Sequence, residues 1–211
     1  SVPAAEVFMP RCPAISPDGS TVVFTFQGDL WSVSSEGGQA VRLTAHEAYD
    51  RDPVFSPDGK SLAFSSNRYG DYDIWIMPVQ GGAPARLTHS SQDESPSAFS
   101  PDGQTVYFCT RRTSTWPLSN TVHRVPVTGG TPLRVSGFAA DECATADGET
   151  FVVATGRVKP ARLRYRGSYQ REVYSWKDGG DPVRLTENRG YDTNPMVDPD
   201  GRIYWIGDQN E

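Results

Sequence analysis

Short apolar runs alternate with turn residues along the whole chain. Residues 53–88 show the unit: Pro53-Val-Phe-Ser-Pro-Asp-Gly59, Lys60-Ser-Leu-Ala-Phe-Ser65, Asp73-Ile-Trp-Ile-Met77, then Gly81-Gly82 and Arg86-Leu-Thr88. Runs this short, rich in β-branched and aromatic residues and bounded by Pro, Asp and Gly, predict strands. Pro fixes one φ of the turn, Asp bonds the local backbone, and Gly accepts the positive φ that ends it. No segment carries helical periodicity. No apolar run approaches the ~18 residues that span a bilayer as a helix.

The unit repeats. Its turn stands as Ser16-Pro-Asp-Gly19, Ser56-Pro-Asp-Gly59 and Ser100-Pro-Asp-Gly103, and decays to Thr145-Ala-Asp-Gly148 and Asp198-Pro-Asp-Gly201. The turn glycines are 40, 44, 45 and 53 residues apart, the period of a four-stranded propeller blade. A second column keeps step with the first. Gly-Gly pairs at 37–38, 81–82, 129–130 and 179–180 each precede, by four residues, Arg42, Arg86, Arg134 or Arg184. Five places after the turn glycines stand Phe24, Phe64, Phe108 and Val153, expected to pack blade on blade.

These columns predict an all-β fold, a β-propeller of four-stranded blades. The blades span about 12–44, 52–88, 95–136 and 141–186, with a partial blade at 192–211. The last has its turn and one further strand but no Gly-Gly pair or Arg-Leu-Thr strand. The expectation is an incomplete propeller of about four and a half blades, with further blades elsewhere in a longer chain, because a ring stopped mid-blade leaves strand edges unpaired. Two connections outgrow the repeat, 111–121 and 156–171.

Charge narrows the partners. The chain carries 20 Lys and Arg against 26 Asp and Glu, a net −6, with no long basic run, which disfavours nucleic acid. Cys12, Cys109 and Cys143 form no Cys-x-x-Cys pair, so neither metal nor cofactor is expected. A Cys12–Cys143 bridge is open from sequence, and three cysteines do not decide the redox compartment.

Candidate chemistry is sparse. His46, His89 and His123 show no arrangement of nucleophile, base and orienting acid, and no Gly-x-Ser-x-Gly elbow exists. No catalytic residue is expected. His123 takes the slot of Trp31 and Trp75 and reads as a packing substitute. The acids are better candidates. Asp50, Glu94 and Asp192 stand nine residues before turn glycines, and Asp52 and Asp141 seven before. In a propeller this end of the innermost strand approaches the channel mouth. The expectation is a negative rim that favours basic peptides or free amino ends, against solvated strand-entry acids. In the second long connection Arg162, Arg164 and Arg166 are candidates for contact with another domain or an acidic peptide end, against a solvated surface loop.

The Ser-Pro-Asp-Gly…Ile-Trp…Arg-Leu-Thr pattern resembles the TolB-type, WD40-like propeller repeat over nearly the whole chain. One stretch narrows it: Arg164-Tyr-Arg-Gly167, Arg171-Glu-Val-Tyr174, Leu185-Thr186 and Gly190-Tyr-Asp-Thr-Asn-Pro195 look like the matching part of tricorn-like proteases. That resemblance implies a non-catalytic substrate-gating or protein-binding propeller. Its partners would be a peptide or protein and the rest of its own chain, with PDZ-like and serine peptidase domains. Alternatives are a TolB-like protein-binding propeller and the propeller of a prolyl oligopeptidase-type α/β-hydrolase. A periplasmic or secreted location is expected, with the cytoplasm as alternative.

Overall fold

The computed structural model describes residues 9–113, 119–156, 171–177, 179–187, 192–198 and 200–207. These form four antiparallel four-stranded sheets and one two-stranded sheet, each with strands in chain order. The first sheet comprises β1 (Arg11–Ile15), β2 (Thr21–Phe26), β3 (Asp29–Ser34) and β4 (Val41–Arg42). The second comprises β5 (Asp50–Phe55), β6 (Ser61–Tyr69), β7 (Asp71–Pro78) and β8 (Ala85–Arg86). The third comprises β9 (Glu94–Phe99), β10 (Thr105–Thr110), β11 (Thr121–Pro126) and β12 (Leu133–Arg134). The fourth comprises β13 (Glu142–Ala144), β14 (Thr150–Thr155), β15 (Glu172–Lys177) and β16 (Val183–Arg184). The last pairs β17 (Asp192–Val197) with β18 (Ile203–Gly207). The architecture is an all-β propeller whose ring is not closed.

The turn tetrapeptide is held by its own side chains. Ser56 Oγ donates to Asp58 Oδ1 at 2.6 Å and accepts from Ser61 N at 2.9 Å, while Lys60 N donates to Asp58 Oδ1 at 3.0 Å. Gly59 closes the turn at φ 68°. Blades one and three repeat these contacts. The hydrogen bonds favour the carboxylate form, so Asp18 is lowered to about 2, with its Ser16 bond the largest cause. The turns also stack: Gly59 packs on Pro17, Gly103 on Pro57 and Gly148 on Pro101.

The Arg-Leu-Thr column has a physical explanation. Arg86 Nη2 donates to Asp73 Oδ2 at 2.6 Å and its Nε to the Thr88 carbonyl at 2.9 Å. Thr88 Oγ1 accepts from Ile74 N at 2.9 Å, and Ser90 N donates to Asp73 Oδ1 at 2.8 Å. The lock therefore ties the outermost strand to the one inside it. Arg42 with Asp29, and Arg184 with Glu172, repeat it in blades one and four. Blade three lacks the acid: Thr121 stands there, and Arg134 keeps only the bond to the Ser136 carbonyl, 2.6 Å, among the described residues.

The core lies between blades. Phe64, fully buried, joins Val23 and Leu30 of the preceding blade; Phe108 joins Ala63 and Ile74; Val153 joins Tyr107, Cys109 and Val122. Cys12 is exposed in blade one, whereas Cys143 is buried in blade four beside Cys109, and all three thiols are free. The outermost strands have only two residues each.

Candidate functional site

The innermost strands run side by side, β5 against β1 and β9, and β13 against β9 and β17. Their first residues therefore gather at one end, with Asp50, Glu94, Glu142 and Asp192 among them. Side chains at similar distances either side of an antiparallel turn meet at the same end of a hairpin. This fixes the environment of the acids.

Asp50 and Glu94 are inside the protein, at 0% and 1% exposure, unlike the open carboxylates expected for a rim. Arg68 Nη2 donates to Asp50 Oδ2 at 2.9 Å. Arg112 donates through Nε and Nη2 to Glu94 Oε1 at 3.0 and 2.9 Å. Burial raises the Glu94 pKa, while the Thr88 hydroxyl and Arg112 pull it down. Arg68 and Arg112 each follow a turn glycine by nine residues, the mirror image of their acids. That symmetric spacing was the available signal, and reading the acids alone missed it. Arg68 also lies 5.0 Å over the Trp75 ring. Trp75 stacks on Tyr69, and Arg86 covers Tyr69 at 4.6 Å. In blade two this chain of rings and cations links the mouth to the outer lock.

Asp52 is half-buried at a β-bulge, in the left-handed region at φ 54°. Asn and Asp tolerate that conformation best after glycine. Cys12 and Asn194 occupy the same column with φ 48° and 52°. Asp52 Oδ2 accepts from Ser95 Oγ of the next blade at 3.0 Å, and Arg51 Nε stands 3.5 Å away. The Arg51 guanidinium lies 3.8 Å over Tyr72. Cys12 is exposed as a residue, yet partial desolvation of its thiol and then the neighbouring Asp52 carboxylate push its pKa up to about 11. Asp141 accepts from Asn120 N at 3.4 Å. Asp192 is fully buried, its N–H donating to the Arg171 carbonyl at 3.1 Å. Glu142, one place off the expected column, bridges blades: it meets Arg171 Nη2 at 2.8 Å and accepts from Asn194 N at 2.7 Å. Arg162, Arg164 and Arg166 lie outside the described residues.

His123 is buried at 1% exposure and pairs in register with Phe108, as Trp75 does with Phe64. Its Nε2 lies 3.1 Å from Thr113 Oγ1, and Nδ1 3.2 Å from the Thr121 carbonyl. Burial lowers its pKa. Among the described residues no three His, Cys, Asp or Glu side chains come together as a metal site. Among the described residues no helix is long and apolar enough to cross a membrane.

The family model for the tricorn protease N-terminal β-propeller domain matches residues 8–211. The chain belongs to that family. Over 68 residues it is 38% identical to tricorn protease homolog 1 of Streptomyces coelicolor, a match covering 32% of this propeller and 6% of that relative. The chain thus corresponds to a small part of that relative's length. Its fold matches a putative TolB from Agrobacterium tumefaciens with a TM-score of 0.78 at 21% identity, over 94% of this chain and 70% of that one. It matches the tricorn protease with a TM-score of 0.64 at 18% identity, over 94% of this chain and 24% of that one. At these identities the structural matches speak for the fold. The tricorn-type propeller is established by the family match, and it places the inner-strand acids on a recognised scaffold.

Proposed function

We propose that this propeller is a non-catalytic, substrate-gating or protein-binding part of a tricorn-like serine protease. The supporting observation is the convergence of inner-strand acids from successive blades at one end of the inner strands. The acids divide the work. Asp50 and Glu94, buried against Arg68 and Arg112, tie the start of the inner strand to the far end of the second strand. Asp52 and Glu142 are partly exposed, beside Arg51 and Arg171, and are the carboxylates that an incoming basic group would contest with those arginines. A concave site of one sign concentrates ligands of the other, and salt screens it. The peptidase groups lie in another segment of the parent protein. A periplasmic or secreted setting belongs to the same proposal, with the cytoplasm as the alternative.

The test uses the parent protein and fluorogenic peptides with basic, neutral or acidic ends, at low and high salt. Preference for basic or free amino ends is expected, reduced by salt and by Asp52→Asn, which keeps the left-handed backbone. Equal turnover of all peptides, unchanged by salt or substitution, overturns the gating role. The chain alone should hydrolyse none of them. Turnover by the chain that disappears on changing His46, His89 and His123 overturns the non-catalytic assignment.

A further inference from the structure

A cleft of about 260 Å³ opens between the second and third blades at the turn end of the inner strands. β5 has six residues, so this end lies roughly 17 Å from the channel-mouth acids at ~3.3 Å per residue. Ile76, Phe99 and Val127 line the cleft together with Asp58 and Asp102. The volume falls below the ~300–1,000 Å³ of sites for drug-sized molecules, and suits one long side chain.

Its apolar wall is particular to this pair of blades. Ile76 pairs with Ala63 in the register; the corresponding positions of the other complete blades carry Ser32, Arg124 and Ser175. Its charge is also defined. Asp58 and Asp102 are both held below the usual carboxylate range by their serine and backbone hydrogen bonds. Those bonds use Oδ1 of each residue. The nearest cation to Asp58 Oδ2 is Lys60 Nζ, at 4.0 Å, and that lysine is 80% exposed. A cleft lined by both apolar side chains and two carboxylates suits a group with an aliphatic stem and a cationic head.

We propose that this cleft binds a lysine or arginine side chain presented by a partner peptide. The stem packs on Ile76, Phe99 and Val127, and the head meets the carboxylates of Asp58 and Asp102. The chain's net charge of −6 favours such a partner at long range. The site stands apart from the channel mouth and does not depend on the gating role.

The probe is acetyl-Gly-Lys-Gly-amide, titrated into the isotope-labelled chain while backbone amide shifts are followed. Saturable shifts at Asp102, Gln104 and Val127 are expected. Counterparts with norleucine or glutamate in place of lysine should bind roughly tenfold more weakly or worse. Ile76→Ser introduces the residue two other blades carry there and Asp102→Asn removes one charge; each should weaken binding several-fold. Asp18→Asn, at an equivalent turn away from the cleft, should leave it unchanged. Equal binding of norleucine, indifference to Ile76→Ser, shifts spread equally over the other turn clefts, or no saturable shift would each overturn the proposal.

Discussion

The acid–arginine–threonine lock of blade two offers a quantitative test of what holds the outer strands. Asp73→Ala deletes the acceptor of Arg86 Nη2 at 2.6 Å and of Ser90 N at 2.8 Å. Asp73 is 1% exposed, whereas the Arg86 side chain is 21% exposed. Removing one member of a fully buried pair costs about 3–5 kcal/mol, and a hydrogen bond to a charged group contributes about 1.5–3 kcal/mol. Arg86 recovers part of its hydration through its exposed fifth, so the lower range applies, about 2–3 kcal/mol. For a domain of this size that is a fall in Tm of about 4–12 °C, at ~2–4 °C per kcal/mol. Urea denaturation of Asp73→Ala, Arg86→Ala and the double variant measures it. The cycle should give a coupling of at least about 1 kcal/mol, as for residues in one network. Blade three is the internal control: Arg134, with no acid at Thr121, should cost under about 0.5 kcal/mol on truncation, as ordinary surface changes do. An Asp73→Ala cost below that figure, or an Arg134→Ala cost equal to that of Arg86→Ala, would refute the reasoning.

Other expectations follow from packing, turns and titration. Phe64→Ala should destabilise by about 3–5 kcal/mol, since the ring is fully buried between blades; a denaturation midpoint near wild type would contradict that packing. Gly148→Ala should cost clearly more than Gly19→Ala in the same assay. Both sit at φ near 73°, where a Cβ costs about 1–2 kcal/mol, but only at Gly148 does that Cβ come within 3.0 Å of Pro101. His123 titrates lower when folded, so the unfolded chain takes up its proton first as pH falls. Stability should drop as pH falls below about 6.5, and His123→Gln should flatten that part of a Tm-versus-pH profile; an unchanged slope would exclude His123 as its source.

The turn columns were legible because local backbone chemistry dictates them. Gly59 needs positive φ, and Asp58 bonds residues two places away, so sequence and structure share one scale. The Arg-Leu-Thr column was visible too, but not its partner. Asp73 lies 13 residues before Arg86, and Glu172 12 before Arg184, across a connection whose length changes from blade to blade. The acids at the mouth show the same limit. Their positions followed from the repeat, but Asp50 and Glu94 are shielded by arginines at or just past the end of the second strand, and the repeat alone carries no measure of burial. Blade one has Pro10 and Gly28 at the two corresponding places, so no such pair forms there. Cysteine proximity was illegible for a related reason: Cys109 meets Cys143 only because the second strand of one blade faces the first strand of the next.

The two-residue outermost strands have a consequence for how such a chain behaves in a crowded solution. A sheet edge recruits another chain through a row of unpaired backbone groups, and the longer and flatter the row, the stronger the template. Here each complete blade ends on two residues, one of them an arginine that three of the four blades lock to an acid, so among the described residues these four outer edges offer no long track for fibril growth. A blade could be duplicated or lost during evolution without exposing a long adhesive rim. The repeat thus carries its own protection against aggregation, renewed each time the unit is copied.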